Sequence, residues 1–183
     1  MTWTLVFDTE TTGLPLRGAR ENELEKWSGC RLVQIAWELF KDDKRESAEC
    51  YTIIPDGYTI PESASKIHGI TTEMASRDGK SMFYALMKFH YALSKADVLV
   101  AHNIEFDYKL VAAEYFRLLG RVPDKLQQVR QVCTMKRWTK PGGRWPKLGV
   151  LYTELFGRPA ENCHQADTDV RYCAEIYFHR TPA

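Results

Sequence analysis

LVQIAWELF, residues 32–40, alternates in a way that predicts a β-strand with one apolar face. Upstream, residues 2–8 (TWTLVFD) predict a first strand, and downstream residues 50–54 (CYTII) predict a third. The charged cluster KDDK, residues 41–44, is typical of a hairpin turn. Two hairpin-like connections in succession therefore predict three antiparallel strands at the start of the chain.

The pattern changes after Pro61, where helices and strands alternate. Strand-like runs occupy residues 98–101 and 129–133. Helical spacing of apolar residues recurs over residues 81–95, 105–119, 148–156 and 167–178. Asn103 is suited to cap the second of these helices and Gly120 to end it. This order predicts an α/β fold, a mixed five-stranded sheet with three antiparallel strands and then two parallel ones, flanked by helices.

The composition is that of a globular protein. The chain has 183 residues, 44% of them hydrophobic and 27% charged, so we expect a single domain spanning residues 1–183. Lys and Arg number 25 against 24 Asp and Glu, a formal net charge of +1. That balance by itself predicts neither a nucleic-acid partner nor a membrane surface.

Targeting features and cysteine usage indicate the compartment. No apolar run approaches the roughly 18 residues that a membrane helix needs. The N-terminus, MTWTLVFDTETTG, has no basic region and turns polar too early for a signal peptide. The five cysteines are odd in number and form no CxxC pair, which disfavours a disulfide framework and a zinc site. We therefore expect a cytoplasmic protein with no membrane association.

Two carboxylates close the first predicted strand. Asp8 and Glu10 are two residues apart, so both side chains lie on the same side of the strand with Cα atoms roughly 6.6 Å apart. Like charges this close repel each other unless something neutralises them, and a divalent cation would do so. The pair alone is equally compatible with ordinary solvated or turn-stabilising residues.

Further acidic residues are predicted at the same edge of the sheet. Asp107 lies one helical turn after Asn103, where the helix dipole also favours an acidic residue. Asp169 lies beside the apolar stripe of the last helix, and His164 precedes that helix. These two side chains converge only if His164 lies on the loop and reaches back over the helix. Asp167 is a rival candidate, but its N-terminal position is explained more simply by a helix cap.

Taken together, these carboxylates predict a metal site. The four that would gather are Asp8, Glu10, Asp107 and Asp169. Without metal their mutual repulsion would be prohibitive. Ligation by oxygen alone suits Mg²⁺ or Mn²⁺ rather than zinc. Two such ions about 3.5–4 Å apart are the standard arrangement for in-line displacement at phosphorus, so we expect phosphoryl-transfer chemistry.

Three short motifs occur in a fixed order along the chain. They are FDTETTGLP (residues 7–15), His102-Asn103 with Phe106-Asp107, and His164, Ala166 and Asp169 in H-x-A-x-x-D spacing. KIHGIT (residues 66–71) and KLGVLYTELFG (residues 147–157) accompany them. The set resembles the DnaQ-like, or DEDDh, 3′–5′ exonucleases of the ribonuclease-H-like fold, over nearly the whole chain. Gln165 stands where the sister group has tyrosine, so the histidine branch is the better match.

The resemblance implies a function and a role for each motif. It implies stepwise hydrolysis from a 3′ end that releases nucleoside 5′-monophosphates. It also implies His164 as the general base and two Mg²⁺ ions as cofactors. The implied metal ligands are Asp8, Glu10, Asp107 and Asp169. The implied nucleotide-binding residues are Thr11, Thr12, Gly13, Leu14, His68, Asn103 and Phe106. Leu14 would be wedged against the terminal base, although simple loop packing also explains it.

A basic segment spans residues 125–147. It contains seven Lys or Arg residues and no acidic residue, with Trp138 and Trp145 between them. Cationic side chains for phosphates and aromatic faces for bases are typical of single-strand binding. A solvated basic face with two packed tryptophans is the alternative, but the predicted site requires a nucleic-acid substrate, so we favour binding. The residues expected to contact substrate are Arg137, Lys140, Arg144 and Trp145.

Rival functions stay open at the level of the sequence. A metal-dependent exonuclease is favoured over a non-catalytic nucleic-acid-binding module because all five expected catalytic residues are present. The expected partners are 3′ ends of single-stranded DNA, favoured by the first motif, or of RNA, which would make the chain an exoribonuclease. A polymerase proofreading subunit is less favoured, because such subunits are tethered through a C-terminal extension and only 14 residues follow Asp169. A polymerase or another replication or repair protein is a candidate partner. Residues 16–30 are predicted to form a polar surface loop. Whether residues 16–29 serve as a lid, a partner surface or neither is open.

Overall fold

The computed structural model describes residues 1–161 and 163–179. The strands are β1 (Trp3–Thr11), β2 (Leu32–Lys41), β3 (Lys44–Thr52), β4 (Val98–Ala101) and β5 (Arg130–Cys133). The helices are α1 (Glu62–His68), α2 (Thr72–Asp78), α3 (Met82–Lys95), α4 (Ile104–Leu119), α5 (Asp124–Gln128), α6 (Thr134–Arg137), α7 (Leu148–Phe156) and α8 (Ala166–Phe178). A short 3₁₀ helix occupies Leu24–Trp27. Across these described ranges, no helix combines the length and the apolar character that a membrane crossing requires.

The strands form one mixed sheet in the order β3-β2-β1-β4-β5. β2 pairs antiparallel with both β1 and β3, whereas β4 runs parallel to β1 and β5 parallel to β4. The predicted α/β fold, with three antiparallel strands followed by two parallel ones, is therefore confirmed. Because β1 and β4 are parallel neighbours, their carboxyl ends meet at the same edge of the sheet.

A separate apolar core lies on each face of the sheet. Phe7 of β1 packs against Phe89 of α3, with ring centroids 5.3 Å apart, in the core that α3 and α4 cover. Val6, its neighbour in the strand, belongs to the opposite core together with Val170 of α8. Successive side chains of a strand point to opposite faces, which explains this division. α8 therefore covers one face of β1, and α3 and α4 cover the other.

The third strand differs from its prediction. It spans Lys44–Thr52 rather than residues 50–54. β3 is an edge strand whose residues are mostly exposed, so its sequence KRESAECYT lacks the apolar alternation on which the prediction depended.

The segment of residues 16–30, predicted as a polar surface loop, contains buried anchors. Trp27, at the end of the 3₁₀ helix, is buried, and its indole N–H donates to the carbonyl of Arg20 at 2.9 Å. Cys30 is buried as well. Most of the segment lies at the surface, as predicted, but its few buried residues pack into the core and a short 3₁₀ helix forms within it.

Helix ends are predicted unevenly. Gly120 ends α4 with φ +69°, as expected. Asn103 precedes α4 at the expected position, but it adopts φ +71° and its side chain makes no capping hydrogen bond. The helices α1, α2, α5 and α6 were not predicted, because runs of four to seven residues are too short to show a helical period.

Candidate active site

The end of β1 presents two acidic side chains on the face that α8 covers. Asp8 and Glu10 follow Val6 at intervals of two residues and therefore share its side of the strand. α8 contributes Asp169 from its first turn. One carboxylate oxygen from each of Asp8, Glu10 and Asp169 lies within 4.8 Å of the other two. The structure thus brings together three of the four predicted metal ligands in one cluster.

Asp107 reaches the same strand end from the opposite side. It lies in the first turn of α4, directly after β4. Thr9, which faces α4, donates its hydroxyl to Oδ1 of Asp107 at 2.6 Å. Asp107 is consequently not part of the mutual 4.8 Å group, although its charge acts on both Asp8 and Glu10. The fourth predicted ligand is adjacent to the cluster rather than within it.

Burial and mutual repulsion make these carboxyl groups hard to ionise. Burial, reinforced by Asp169 and Asp107, raises the pKa of Glu10 to about 8. Burial, followed by repulsion from Asp107, raises the pKa of Asp8 well above its ordinary value. Burial raises the pKa of Asp107 to about 7 even though the Thr9 hydroxyl opposes the shift. A cluster of this kind gains from a positive charge that stabilises the ionised forms.

The chemistry of the donor set fits a divalent cation. Oδ1 of Asp169 is buried and has no hydrogen-bond partner among the described residues. Burial raises the pKa of Asp169, with the backbone N–H of His164 opposing the shift. An unpartnered buried oxygen normally requires an unseen partner, and hard oxygen donors are the ligands that Mg²⁺ and Mn²⁺ prefer. Asp8, Glu10 and Asp169 are therefore suited to hold such an ion, with Asp107 beside them.

His164 lies on the loop before α8, as its convergence with Asp169 requires. Its backbone adopts φ +70°, and its N–H donates to Oδ2 of Asp169 at 3.0 Å. The side chain is exposed. The turn before the helix therefore brings His164 back to Asp169, which a continuous helix would not do.

Comparison with known proteins identifies the family. The family model described as Exonuclease matches residues 5–177. The chain belongs to this exonuclease family. Its fold is that of the ribonuclease-H-like, DnaQ-like 3′–5′ exonucleases, a class of hydrolases, and the motifs quoted above place it in the DEDDh group.

Curated relatives agree with this family assignment, and a solved structure shares the fold. The chain is 32% identical over 172 residues to DNA polymerase III subunit epsilon of Treponema pallidum, covering 93% of this chain and 73% of that protein. It is 33% identical over 181 residues to a DNA polymerase III subunit epsilon-like protein of Rhodobacter capsulatus, covering 98% of this chain but 24% of the relative. Escherichia coli exonuclease I, solved with a dT13 oligonucleotide, shares the fold with a TM-score of 0.74 at 18% identity, over 97% of this chain and 40% of that one. The chain thus spans less than half of exonuclease I.

In this exonuclease domain, the segment after Glu10 is tightly tied to its surroundings. The hydroxyl of Thr11 donates to the carbonyl of Gly13 at 2.8 Å, and that of Thr12 donates to the carbonyl of Gly29 at 3.0 Å. Leu14, by contrast, is 78% exposed. Simple loop packing, the alternative explanation for Leu14, therefore does not describe its environment.

The other predicted nucleotide-binding residues lie in different settings. His68 is buried, and its Nδ1 accepts from the backbone N–H of Ile70 at 3.1 Å. Burial lowers the pKa of His68, with the backbone of Thr11 opposing the shift. Its Nε2 is buried and has no hydrogen-bond partner among the described residues. Asn103 and Phe106 line a cavity of about 330 Å³ between the start of α4 and residues 15–19.

In the basic segment of residues 125–147, some side chains are available for strand binding and others are packed into the fold. Trp138 packs against a buried cluster, whereas Trp145 is 63% exposed. Lys140 and Arg144 are exposed as well. Arg137 is partly committed to the fold, because it donates to the carbonyl of Tyr177 at 3.1 Å. One tryptophan is thus structural, and the other is free to meet a ligand.

Sequence reasoning missed two residues that support the carboxylate cluster. Thr9 orients Asp107, as described above. Gln34 of β2 lies opposite Glu10 in the sheet, and its Oε1 accepts from the N–H of Ala166 at the start of α8 at 3.3 Å. The available indication was that Gln34 is one of only two polar residues, with Glu38, in the apolar run LVQIAWELF.

Proposed function

We propose that this chain is a single exonuclease domain that hydrolyses phosphodiester bonds from the 3′ end of single-stranded DNA and releases nucleoside 5′-monophosphates. The observation that carries the proposal is the cluster of Asp8, Glu10 and Asp169 oxygens within 4.8 Å of one another. Membership of the exonuclease family supports it. A non-catalytic module would have no use for so repulsive an arrangement.

The carboxylates are proposed to hold two Mg²⁺ ions, which Mn²⁺ could replace. Asp8, Glu10 and Asp169 would bind the ions directly, and Asp107 would contribute a further carboxylate from the α4 side. When bound, such ions lower the pKa of a water and stabilise the departing 3′-oxygen. The chain itself supplies the geometry, because β1, α4 and α8 are rigid elements whose packing sets the carboxylate positions.

His164 is proposed as the general base. Its backbone is fixed to Asp169, while its imidazole is exposed and free to accept a proton from an attacking water. The proton leaves through the solvent that surrounds the side chain. Asp169 therefore serves both as a ligand and as the residue that fixes the position of the base.

Substrate binding is proposed at two surfaces. Thr11, Thr12, Gly13, the exposed Leu14 and the buried His68 would hold the terminal nucleotide. Asn103 and Phe106, which line the cavity beside residues 15–19, would contribute to the same site. Lys140, Arg144 and Trp145, with a smaller contribution from Arg137, would bind the strand upstream through phosphate and base contacts.

DNA is favoured over RNA by the character of the relatives. The epsilon subunits of Treponema pallidum and Rhodobacter capsulatus are named for a DNA polymerase, and exonuclease I was solved with a DNA oligonucleotide. The same names support a second candidate, a proofreading activity that works beside a polymerase. We propose the polymerase as a candidate partner on this ground.

The test compares single-stranded DNA and RNA of matched sequence, each labelled at the 5′ end, with Mg²⁺ or Mn²⁺. We expect a ladder that shortens from the 3′ end, faster on DNA, and no degradation with EDTA or with Asp8→Asn. Faster shortening of RNA would identify an exoribonuclease. Binding without degradation of either strand would refute the exonuclease and favour the non-catalytic module.

A further inference from the structure

Glu114 is a buried carboxylate that belongs to none of the predicted motifs. It lies on α4 with its side chain 1% exposed. Nε of Arg31 donates to its Oε1 at 2.8 Å, and the backbone N–H of Leu32 donates to the same oxygen at 3.2 Å. Nη1 of Arg117 lies 2.7 Å from its Oε2. A carboxylate buried this deeply is stable only with such partners, so its position and that of Arg31 are tightly coupled.

Arg31 connects Glu114 to the segment that follows β1. The N–H of Thr12 donates to the carbonyl of Arg31 at 3.0 Å, and the N–H of Arg31 donates back to the Thr12 hydroxyl at 2.9 Å. The backbone at Gly13 also lies close to that at Gly29. A Cβ added to Gly13 would lie 3.0 Å from the carbonyl oxygen of Gly29. The first-motif segment is therefore held through Arg31.

Glu114 and Asp107 are placed on the same face of α4. Seven residues separate them, which is two helical turns to within roughly 20° of rotation. Asp107 meets Thr9 at the end of β1, and Glu114 meets Arg31 two turns further along. α4 thus holds both the carboxylate-bearing strand end and the segment just after it.

We propose that Glu114 and Arg31 are a pair of positioning residues that hold residues 11–14 in the conformation that binds the 3′-terminal nucleotide. The inference rests on the proposed function, which assigns nucleotide binding to residues 11–14. The hydrogen bonds that hold Asp107 and that join Asp169 to His164 do not involve Glu114 or Arg31. Loss of the Glu114–Arg31 interaction therefore weakens substrate binding and leaves the chemical step nearly intact.

Kinetics of three variants test the pair. Glu114→Gln removes the charge while keeping the shape, Arg31→Lys removes the Nε donor while keeping the charge, and the third variant combines both. On 5′-labelled single-stranded DNA, we expect each single variant to raise KM about tenfold with kcat within about threefold. The double variant should be no worse than the weaker-binding single variant, because both changes break one interaction. The inference would be overturned if the KM increase of the double variant equalled the product of the two single increases. A lower kcat at unchanged KM would overturn it as well.

Glu38→Gln is the matched control. Glu38 of β2 is also a buried carboxylate with an arginine partner, Nη1 of Arg45 at 2.7 Å, but within the described residues no hydrogen bond or ion pair joins its side chain to residues 11–14. We expect it to lower Tm as Glu114→Gln does without changing KM. If Glu38→Gln raises KM as much as Glu114→Gln, the effect reflects general stability and the inference is wrong.

Hydrogen exchange of the amides of residues 11–14 gives a readout that does not need activity. We expect faster exchange there in Glu114→Gln and Arg31→Lys than in the wild type and Glu38→Gln. Unchanged exchange would overturn the positioning role even in an active nuclease. An inactive wild-type chain would instead refute the proposed function, and the exchange data would still decide whether the pair holds the segment.

Discussion

The backbone N–H of His164 donates to Oδ2 of Asp169 at 3.0 Å, so the loop before α8 is held to the carboxylate by a hydrogen bond that does not require the imidazole. The imidazole takes no part in that bond and is exposed. Substitution of the side chain therefore separates its chemical role from its structural one.

His164→Ala should lower kcat by about 10²–10⁴, the usual effect of losing a general base. Tm should stay within about 2 °C of the wild type, because the bond to Asp169 persists and the side chain is exposed. Steady-state kinetics and thermal unfolding measure the two effects.

His164→Asn is the control for the backbone, because asparagine tolerates φ +70° better than most residues and cannot act as a base near neutral pH. It should be as inactive as His164→Ala. Near-wild-type turnover in either variant would exclude His164 as the base.

The metal-free protein should lose stability as the pH rises. Burial raises the pKa of Glu10 to about 8 from 4.5 and that of Asp107 to about 7 from 3.8. Between the unfolded and folded pKa values, the folded state therefore binds more protons than the unfolded state. The stabilisation that protonation of Glu10 and Asp107 gives the folded state is complete below about pH 4 and is lost as the pH rises through about 7–8. We expect Tm in EDTA to fall across this window.

Glu10→Gln isolates this effect, because it removes one of the titrating groups. Its Tm should fall less steeply with pH than that of the wild type. Mg²⁺ or Mn²⁺ should raise the wild-type Tm most at high pH, by the equivalent of about 2.7 kcal/mol at a hundredfold excess over Kd. A wild-type Tm in EDTA that increases with pH over the same window would contradict the raised pKa values.

Leu14 should matter for binding and not for folding. It is 78% exposed, so Leu14→Ala removes little packing from the free protein. If the side chain packs against the terminal base, the loss of about 1–2 kcal/mol of contact raises KM roughly 5–30-fold while kcat and Tm change little. Kinetics on single-stranded DNA measure this. An unchanged KM would remove Leu14 from the binding site.

The two tryptophans of the basic segment should behave differently. Trp145 is 63% exposed, so Trp145→Ala should weaken single-strand binding by about 1–3 kcal/mol, the value of one stacked base, with Tm unchanged. Trp138 packs against a buried cluster, so Trp138→Ala should cost about 3 kcal/mol and lower Tm by about 6–12 °C in a domain of this size. Fluorescence anisotropy with a labelled oligonucleotide and thermal unfolding distinguish them.

Arg144→Ala tests whether the same segment contacts phosphate, through the dependence of affinity on salt concentration. An exposed arginine that contacts a phosphate contributes about 0.7 to the slope of log affinity against log salt concentration for a single strand. We expect the slope to decrease by that amount. Unchanged affinity in Trp145→Ala, together with an unchanged slope in Arg144→Ala, would show that this segment does not bind the strand.

Local pattern was sufficient for much of the site. The two-residue spacing of Asp8 and Glu10 places both on one face of a strand, and this follows from the pleat alone. Gly120 was predictable for the same kind of reason, since a glycine after a helix adopts the left-handed conformation without cost. β3 was misplaced because an edge strand exposes most of its residues and therefore carries little periodicity.

The sequence by itself determined which residues are candidates for the chemistry. It also determined on which side of its own element each lies, because side-chain direction repeats with the local period of a strand or a helix. Only the tertiary structure decided which distant residues meet. Thr9 and Asp107 are 98 positions apart, Gln34 and Ala166 are 132, and Arg31 and Glu114 are 83. Such contacts depend on strand register and on how helices pack across a sheet, and these arise from the whole chain burying its apolar surface at once.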